Sequence, residues 1–378
     1  MKLDILSKDK INGIFLLLAV IFLTALANGC MFDSNSGTAA ALKKYDNAAI
    51  AVVNKIIENN MLKKNIPGAL AGVWDEGYET LIVSKGKADI AANIDVNPNM
   101  RFRMASTCKM FTALSILILA GENKLSLDDK VSKYLPDLPH ADKVTIRQLG
   151  NHTSGYFNYT SAPGIGVVVQ DPLKVWTPQE LMDLVKDKPL DFEPGTRYKY
   201  SNTGFIVLGM IIEKVSGKKF GEFIDEKIIK PLNMTDTTYP AAAAINGEHM
   251  NGYVINAGET APVEFLLAPS VAWAAGGTVS SLNDMKKFLD ALAAGSLISP
   301  AMRLEQKKWV ETDTAGTKYG FGIFFEKNNF IGHTGDTIGY NVSAFISLDS
   351  KKTVIVIHNL DDMAPATSND LMKYLFNY

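Results

Sequence analysis

The chain is 378 residues long, 47% hydrophobic and 21% charged, with a formal net charge of −2. That length and apolar fraction are enough for a large core in one or two domains. The near-neutral balance excludes a protein drawn to polyanions by bulk charge, so no nucleic-acid partner is expected.

Lys2, Lys8 and Lys10 precede an uncharged apolar run from Ile14 to Ala27. The run is short for a membrane span and suits the central region of a secretory signal. It closes on Ala27-Asn28-Gly29-Cys30, which resembles a bacterial lipobox, with alanine three places before the cysteine and Leu26 one place earlier. Three fates fit: a lipoprotein carrying lipid on Cys30, an uncleaved anchor, or an ordinary cleaved signal. All three imply export, and the first gives a membrane-anchored lipoprotein on the periplasmic or extracellular face. Residues 1–30 are therefore read as a signal peptide with a lipobox, and 31–41 as a small polar tether. A lipidated Cys30 leaves Cys108 without a disulfide partner, and Cys108 reads as a small core residue.

Leu42 to Met61 has apolar residues at helical spacing, and Pro67-Gly68 ends that element. Ala69–Trp74 and Tyr78–Val83 flank Asp75-Glu76-Gly77 in the manner of a β-hairpin. Met110–Ala120 is a nearly unbroken apolar run, too long for a strand, and predicts a helix buried on all sides. From Leu125 to about Pro262 the signals are helical and loop-like. Thr177-Pro178-Gln179-Glu180 is a capping-box helix start, and Gly204–Val215 is an apolar helix that Gly217 would stop. Ser281 can cap a helix running to Ala294. Strands are expected over Tyr319–Phe325, Val342–Leu348 and Thr353–Ile357, then a helix over Asn369–Phe376. The fold expected is α+β: an antiparallel sheet built from both chain ends (42–124 and 263–378), flanked by helices, with an all-helical insertion over 125–262.

A serine hydroxyl needs a group to take its proton. No GxSxG occurs, which argues against the hydrolase elbow that uses histidine, and Ser-x-x-Lys is the alternative. Four sites match it: Ser7/Lys10, Ser84/Lys87, Ser106/Lys109 and Ser216/Lys219. Only Ser106 opens a buried helix, where free backbone N–H groups can stabilise an oxyanion and burial can lower the Lys109 pKa. No histidine or cysteine spacing suggests a metal site, and no cofactor is expected.

Tyr200-Ser201-Asn202 follows Pro194-Gly195-Thr196, and His333-Thr334-Gly335 stands among the C-terminal strands. With Ser106-Thr107-Cys108-Lys109 they resemble, in order, the S-x-x-K, Y-x-N and K/H-T-G motifs of the serine β-lactamase and penicillin-binding superfamily. The branch is that of class C β-lactamases and D-alanyl-D-alanine carboxypeptidases. Arg147–Gly155 and Ala275-Gly276-Gly277 also look like family segments, and the likeness spans roughly Ile66 to His358. Tyr45-Asp46-Asn47 and Tyr156-Phe157-Asn158 match Y-x-N as well, but the P-G-T context favours Tyr200.

The resemblance implies that Ser106 attacks a carbonyl while Lys109 and Tyr200 share the proton traffic. It implies that Asn202 and the His333-Thr334-Gly335 strand edge bind substrate, and that the N–H groups of Ser106 and Asp336 form the oxyanion hole. Where β-lactamases of this branch carry lysine, His333 would be largely neutral above about 6.5, so His333→Lys is expected to move the basic or acidic limb of the pH–rate profile. His152, His358, His140 and His249 look like structural residues. A small peptide, β-lactam or ester is the expected substrate, with a lipid-held membrane attachment and a monomeric state. A D-alanyl-D-alanine carboxypeptidase-like activity leads. A class C-like β-lactamase or esterase is the alternative, and a penicillin sensor without turnover is the third reading. Against the carboxypeptidase stands Gly322-Ile323-Phe324-Phe325, which offers an apolar wall and no arginine for a terminal carboxylate, with Lys327 a substitute.

Overall fold

In the computed structural model, residues 42–256, 259–262 and 267–378 are described. The signal segment, Cys30 and Ser7/Lys10 lie outside the described residues. Asp46 caps the first helix, α1 (Asn47–Lys64), its carboxylate accepting the Ala49 N–H at 2.6 Å. This start is later than the apolar spacing suggested, because Lys43 instead exchanges backbone hydrogen bonds with Gly77 and Glu79. The expected hairpin is β1 (Gly68–Trp74) and β2 (Leu81–Asp89), followed by the short β3 (Ile94–Asp95) and β4 (Arg101–Arg103). A 3-10 turn, Ala105–Cys108, leads into α2 (Lys109–Gly121), which is buried continuously from Lys109 to Leu117.

The middle of the chain supplies α3 (Ile146–Gly150), α4 (Pro178–Asp183) and α5 (Asn202–Ser216). Thr177 forms the anticipated capping box with Glu180, and Gly217 stops α5 at φ +71°. The segment is not wholly helical, however. Tyr253–Asn256 (β5) and Glu259–Pro262 (β6) pair as an antiparallel hairpin. Alternating Tyr253, Ile255 and the β-branched Val254 and Thr260 favour that ladder over a helix.

After β7 (Val279–Ser281), Ser281 caps α6 (Leu282–Ala294), and α7 (Pro300–Gln306) follows. The strand expected over Tyr319–Phe325 is broken. Val310–Glu311 (β8), Lys318–Tyr319 (β9) and Phe324–Phe325 (β10) are separate short strands. Gly322 interrupts the run at φ +76°, and a Cβ there would stand 2.1 Å from that of Ala113. Only glycine allows this left-handed approach to α2. The chain ends with β11 (Phe330–Thr337), β12 (Tyr340–Ser347), β13 (Thr353–His358) and α8 (Ala364–Phe376). The last helix begins before Asn369 because the Asn341 side chain accepts the Ala364 N–H at 2.9 Å.

One antiparallel sheet of nine strands runs β3-β2-β1-β13-β12-β11-β10-β9-β8, so the two chain ends meet where β1 pairs with β13. Strand alternation sends Val354 and Val356 to a core with Val53, Ile57, Leu371 and Met372 of α1 and α8. Ile355 and Ile357 point the other way, into the larger core with Phe111 of α2, Phe205 of α5 and Phe288 of α6. Sheet and helices thus bring the Ala105–Cys108 turn that leads into α2 against β11.

Candidate active site

The site is built where the turn before α2 meets β11. Ala105 is in the left-handed region at φ +48°, which turns the chain sharply into Ser106. Gly335 on β11 lies so close that a Cβ would stand 2.5 Å from the Met104 carbonyl oxygen and 3.2 Å from the Ser106 nitrogen. Strand β10 pairs only with Ile331 and Gly332, so among the described residues His333 to Thr337 has no strand partner on that side. This unpaired edge lies within β11.

Lys109 is fully buried one turn beyond Ser106. Its Nζ donates to Ser106 Oγ at 2.9 Å and to the Ala275 carbonyl at 2.7 Å. Burial lowers its pKa to about 7. The Ala274-Ala275 backbone is tied to α2 by the Thr112 hydroxyl, 2.6 Å from the Ala274 oxygen. Lys109 Nζ also sits 5.1 Å from the centre of the Tyr200 ring.

Tyr200 precedes α5, and among the described residues its buried hydroxyl makes no hydrogen bond of ordinary geometry, although the Ser106 hydroxyl lies near enough to act on it. Burial pushes its pKa well above the ordinary phenol value, with the Ser106 hydroxyl partly opposing. Its rivals lie elsewhere. Tyr156 donates its hydroxyl to Pro139 O, and Tyr45 stacks on Tyr78. The alternative serine–lysine pairs are equally separate, since Lys87 pairs with Asp95 and Lys219 with Glu213. Asn202 takes its backbone order from Asn158 Oδ1 at 3.1 Å, and its amide donates to Thr160 Oγ1 at 3.3 Å.

His333 is buried with its Nδ1 against the Thr334 carbonyl and its Nε2 2.9 Å from the Tyr319 hydroxyl. These partners put the proton on Nδ1 and make Tyr319 the donor to Nε2. Burial, then the charge of Lys109, push its pKa down to about 3. His333 is thus held neutral throughout the physiological range. A free imidazole would titrate there, but this one has no water to stabilise its cation.

Ser106, Asn202, Asp336 and Thr337 line a cleft of about 400 Å³ together with Tyr159, Thr160, Ile165, Val168, Leu267, Val271 and Ile338. Phe324 and Phe325 do not form its apolar wall as expected. Phe324 packs edge-on to Tyr319 and Phe325 against Trp309. Lys327 does not line it either. A larger groove of about 790 Å³, walled by Trp176, Phe220 and Trp273, contains none of Ser106, Lys109 and Tyr200. Cys108 is buried and its thiol pKa is raised by that burial, as suits a core residue.

Two site residues escape a reading of the sequence. Tyr319 holds His333. His152, which looked merely structural, lies with its ring centroid 4.2 Å from that of Tyr200 and 4.6 Å from that of Tyr319. Its position inside the family-like Arg147–Gly155 segment was the available signal.

The family described as Beta-lactamase matches residues 53–375. Penicillin-binding protein 4* of Bacillus subtilis is 31% identical over 74% of this chain, and the match covers 65% of that protein's length. A D-stereospecific amidohydrolase from Streptomyces sp. superposes with a TM-score of 0.79 at 29% identity, covering 88% of this chain and 100% of that one. D-amino acid amidase from Ochrobactrum anthropi, solved with L-phenylalanine amide, gives 0.78 at 25% identity over 87% of this chain and 99% of its own.

Proposed function

Because the chain belongs to the beta-lactamase family, whose fold it shares with amide hydrolases, we propose that Ser106 forms an acyl-enzyme and cleaves the amide bond of a small D-aminoacyl substrate with an apolar side chain. The observation that carries this reading is the Lys109 amine, held 2.9 Å from Ser106 Oγ with a pKa of about 7. Half neutral at that pH, Lys109 takes the Ser106 proton as Oγ bonds to the carbonyl carbon. Tyr200, kept protonated by burial, hands a proton to the departing nitrogen as the C–N bond breaks, and is reprotonated from Lys109. Water then cleaves the ester by the reverse path. The Ser106 and Asp336 N–H groups stabilise the oxyanion, while Asn202 and the free His333-Thr334-Gly335 edge align the substrate backbone.

The cleft supports an amide over a carboxypeptidase substrate. No lysine or arginine is among its described lining residues, and segments 257–258 and 263–266 contain neither. Burial, and then the nearby charges of Asp361 and Asp362, raise the pKa of Asp336. A terminal carboxylate would meet repulsion there, whereas a neutral or ammonium-bearing substrate would not. Penicillin acylation is the second reading, favoured by the likeness to penicillin-binding protein 4*. We further infer export as a monomer held on the membrane by lipid at Cys30. Changing Cys30 to serine should release the protein into a soluble fraction.

The deciding measurement compares ammonia release from D-phenylalanine amide with D-alanine release from an N-acylated D-alanyl-D-alanine peptide, alongside intact mass after exposure to penicillin. Faster amide turnover, lost in Ser106→Ala, supports the proposal. Faster D-alanine release restores the carboxypeptidase, and amide turnover that survives Ser106→Ala removes the mechanism.

A further inference from the structure

His152 combines three local costs that a core-filling residue would not carry. Its backbone is left-handed, at φ +59°, a region most side chains avoid. It is 1% exposed. Its Nδ1 accepts the Ser201 N–H at 3.2 Å, which puts the ring proton on Nε2, and that nitrogen is buried without a hydrogen-bond partner. Burial, then the charge of neighbouring Lys109, keep the ring neutral. A leucine or phenylalanine would fill the same space with no orphaned donor.

The hydrogen bonds show what the imidazole accomplishes. The His152 carbonyl accepts the Lys199 N–H at 2.9 Å, and Nδ1 accepts that of Ser201. One residue therefore grips the chain on both sides of Tyr200, in the manner of a short strand pair. Its ring meanwhile lies against the phenol ring at 4.2 Å, tilted by 39°. Among the described residues nothing but the nearby Ser106 hydroxyl acts on the Tyr200 hydroxyl as a hydrogen-bond partner, so its position depends largely on what holds its backbone and ring. His152 holds both, and Tyr319 backs it at 4.6 Å.

We propose that His152 is a positioning residue that fixes the Tyr200 phenol over Ser106 through this two-point backbone grip and ring contact. The inference rests on the acyl-enzyme reading above. It acts on the transition state rather than on substrate affinity, because His152 is not among the residues that line the cleft.

Two variants separate this role from simple packing. His152→Asn keeps an oxygen near the Nδ1 position and tolerates the left-handed backbone. His152→Gly suits that backbone better but offers neither acceptor nor ring. Steady-state kinetics on D-phenylalanine p-nitroanilide, well below either melting midpoint, should show kcat falling roughly 100-fold in the glycine variant with KM nearly unchanged. The asparagine variant should recover about tenfold of that loss. Equal activity of the two variants, or a change confined to KM, overturns the proposal. If wild type forms no acyl-enzyme, the reading beneath it falls, and the nitrogen-15 histidine spectrum with Ser201 amide exchange decides the grip itself. An unprotonated Nδ1 and a slow Ser201 amide that becomes fast in His152→Gly support it; a protonated Nδ1 removes it.

Discussion

At Lys109 the same burial that makes a base also costs stability. Its pKa of about 7 in the folded protein lies well below the roughly 10.4 of an unfolded lysine. Between those values the unfolded chain binds a proton that the folded chain has released, so the contribution of Lys109 to stability improves as pH rises through that window. Below about pH 7 both states are charged and the full burial penalty remains. Lys109→Met should therefore melt higher than wild type at pH 6, with the gap narrowing towards pH 10, while hydrolysis is lost. A thermal gap that is flat in pH would contradict the buried-cation account. The wild-type kcat/KM should rise through an acid limb near pH 7 and then level, and His333→Gln should leave that limb in place because His333 is already neutral. The Ser106–Lys109 pair was legible in the sequence since i and i+3 share a helix face. The state of His333 was not, because its environment comes from Tyr319 and Lys109, which no local pattern joins to it.

Among the elements, the contact between β11 and the turn that carries Ser106 is close, and it depends on a missing side chain. Gly335→Ala would drive a methyl into Met104 O and the Ser106 nitrogen, displacing the oxyanion donors. Activity should fall by about two orders of magnitude while the far-ultraviolet circular dichroism stays native; retained activity would show that β11 yields freely. Gly322→Ala, which sets a Cβ 2.1 Å from that of Ala113 at φ +76°, should instead destabilise the fold by about 2 kcal/mol or more, read from urea unfolding. Apolar periodicity revealed α2, β12 and β13 well, since each is covered over most of its length. It blurred Tyr319–Phe325, where aromatic and β-branched residues suggest one strand and two glycines fold it into two. It missed the Tyr253–Pro262 hairpin because its strands are only four residues each.

Lys43 to Tyr378 forms one compact unit, and the nine-stranded sheet couples its first strand to its last. Activity and circular dichroism should accordingly be lost in one coincident urea transition, whereas two separated transitions would mean that the helical middle folds on its own. The motif order across the chain made this architecture readable, since Ser106 and His333 must meet although 227 positions separate them by number. The pairing of β1 with β13 also has a temporal meaning. Gly68–Trp74 meets β13 only after Thr353–His358 has been synthesised, so the sheet cannot close across that pair any earlier. Until then β1 pairs only with its hairpin partner β2, and folding is slowed by the long loop that must close. A polypeptide timed in this way completes its fold only once Thr353–His358 is free to pair with Gly68–Trp74.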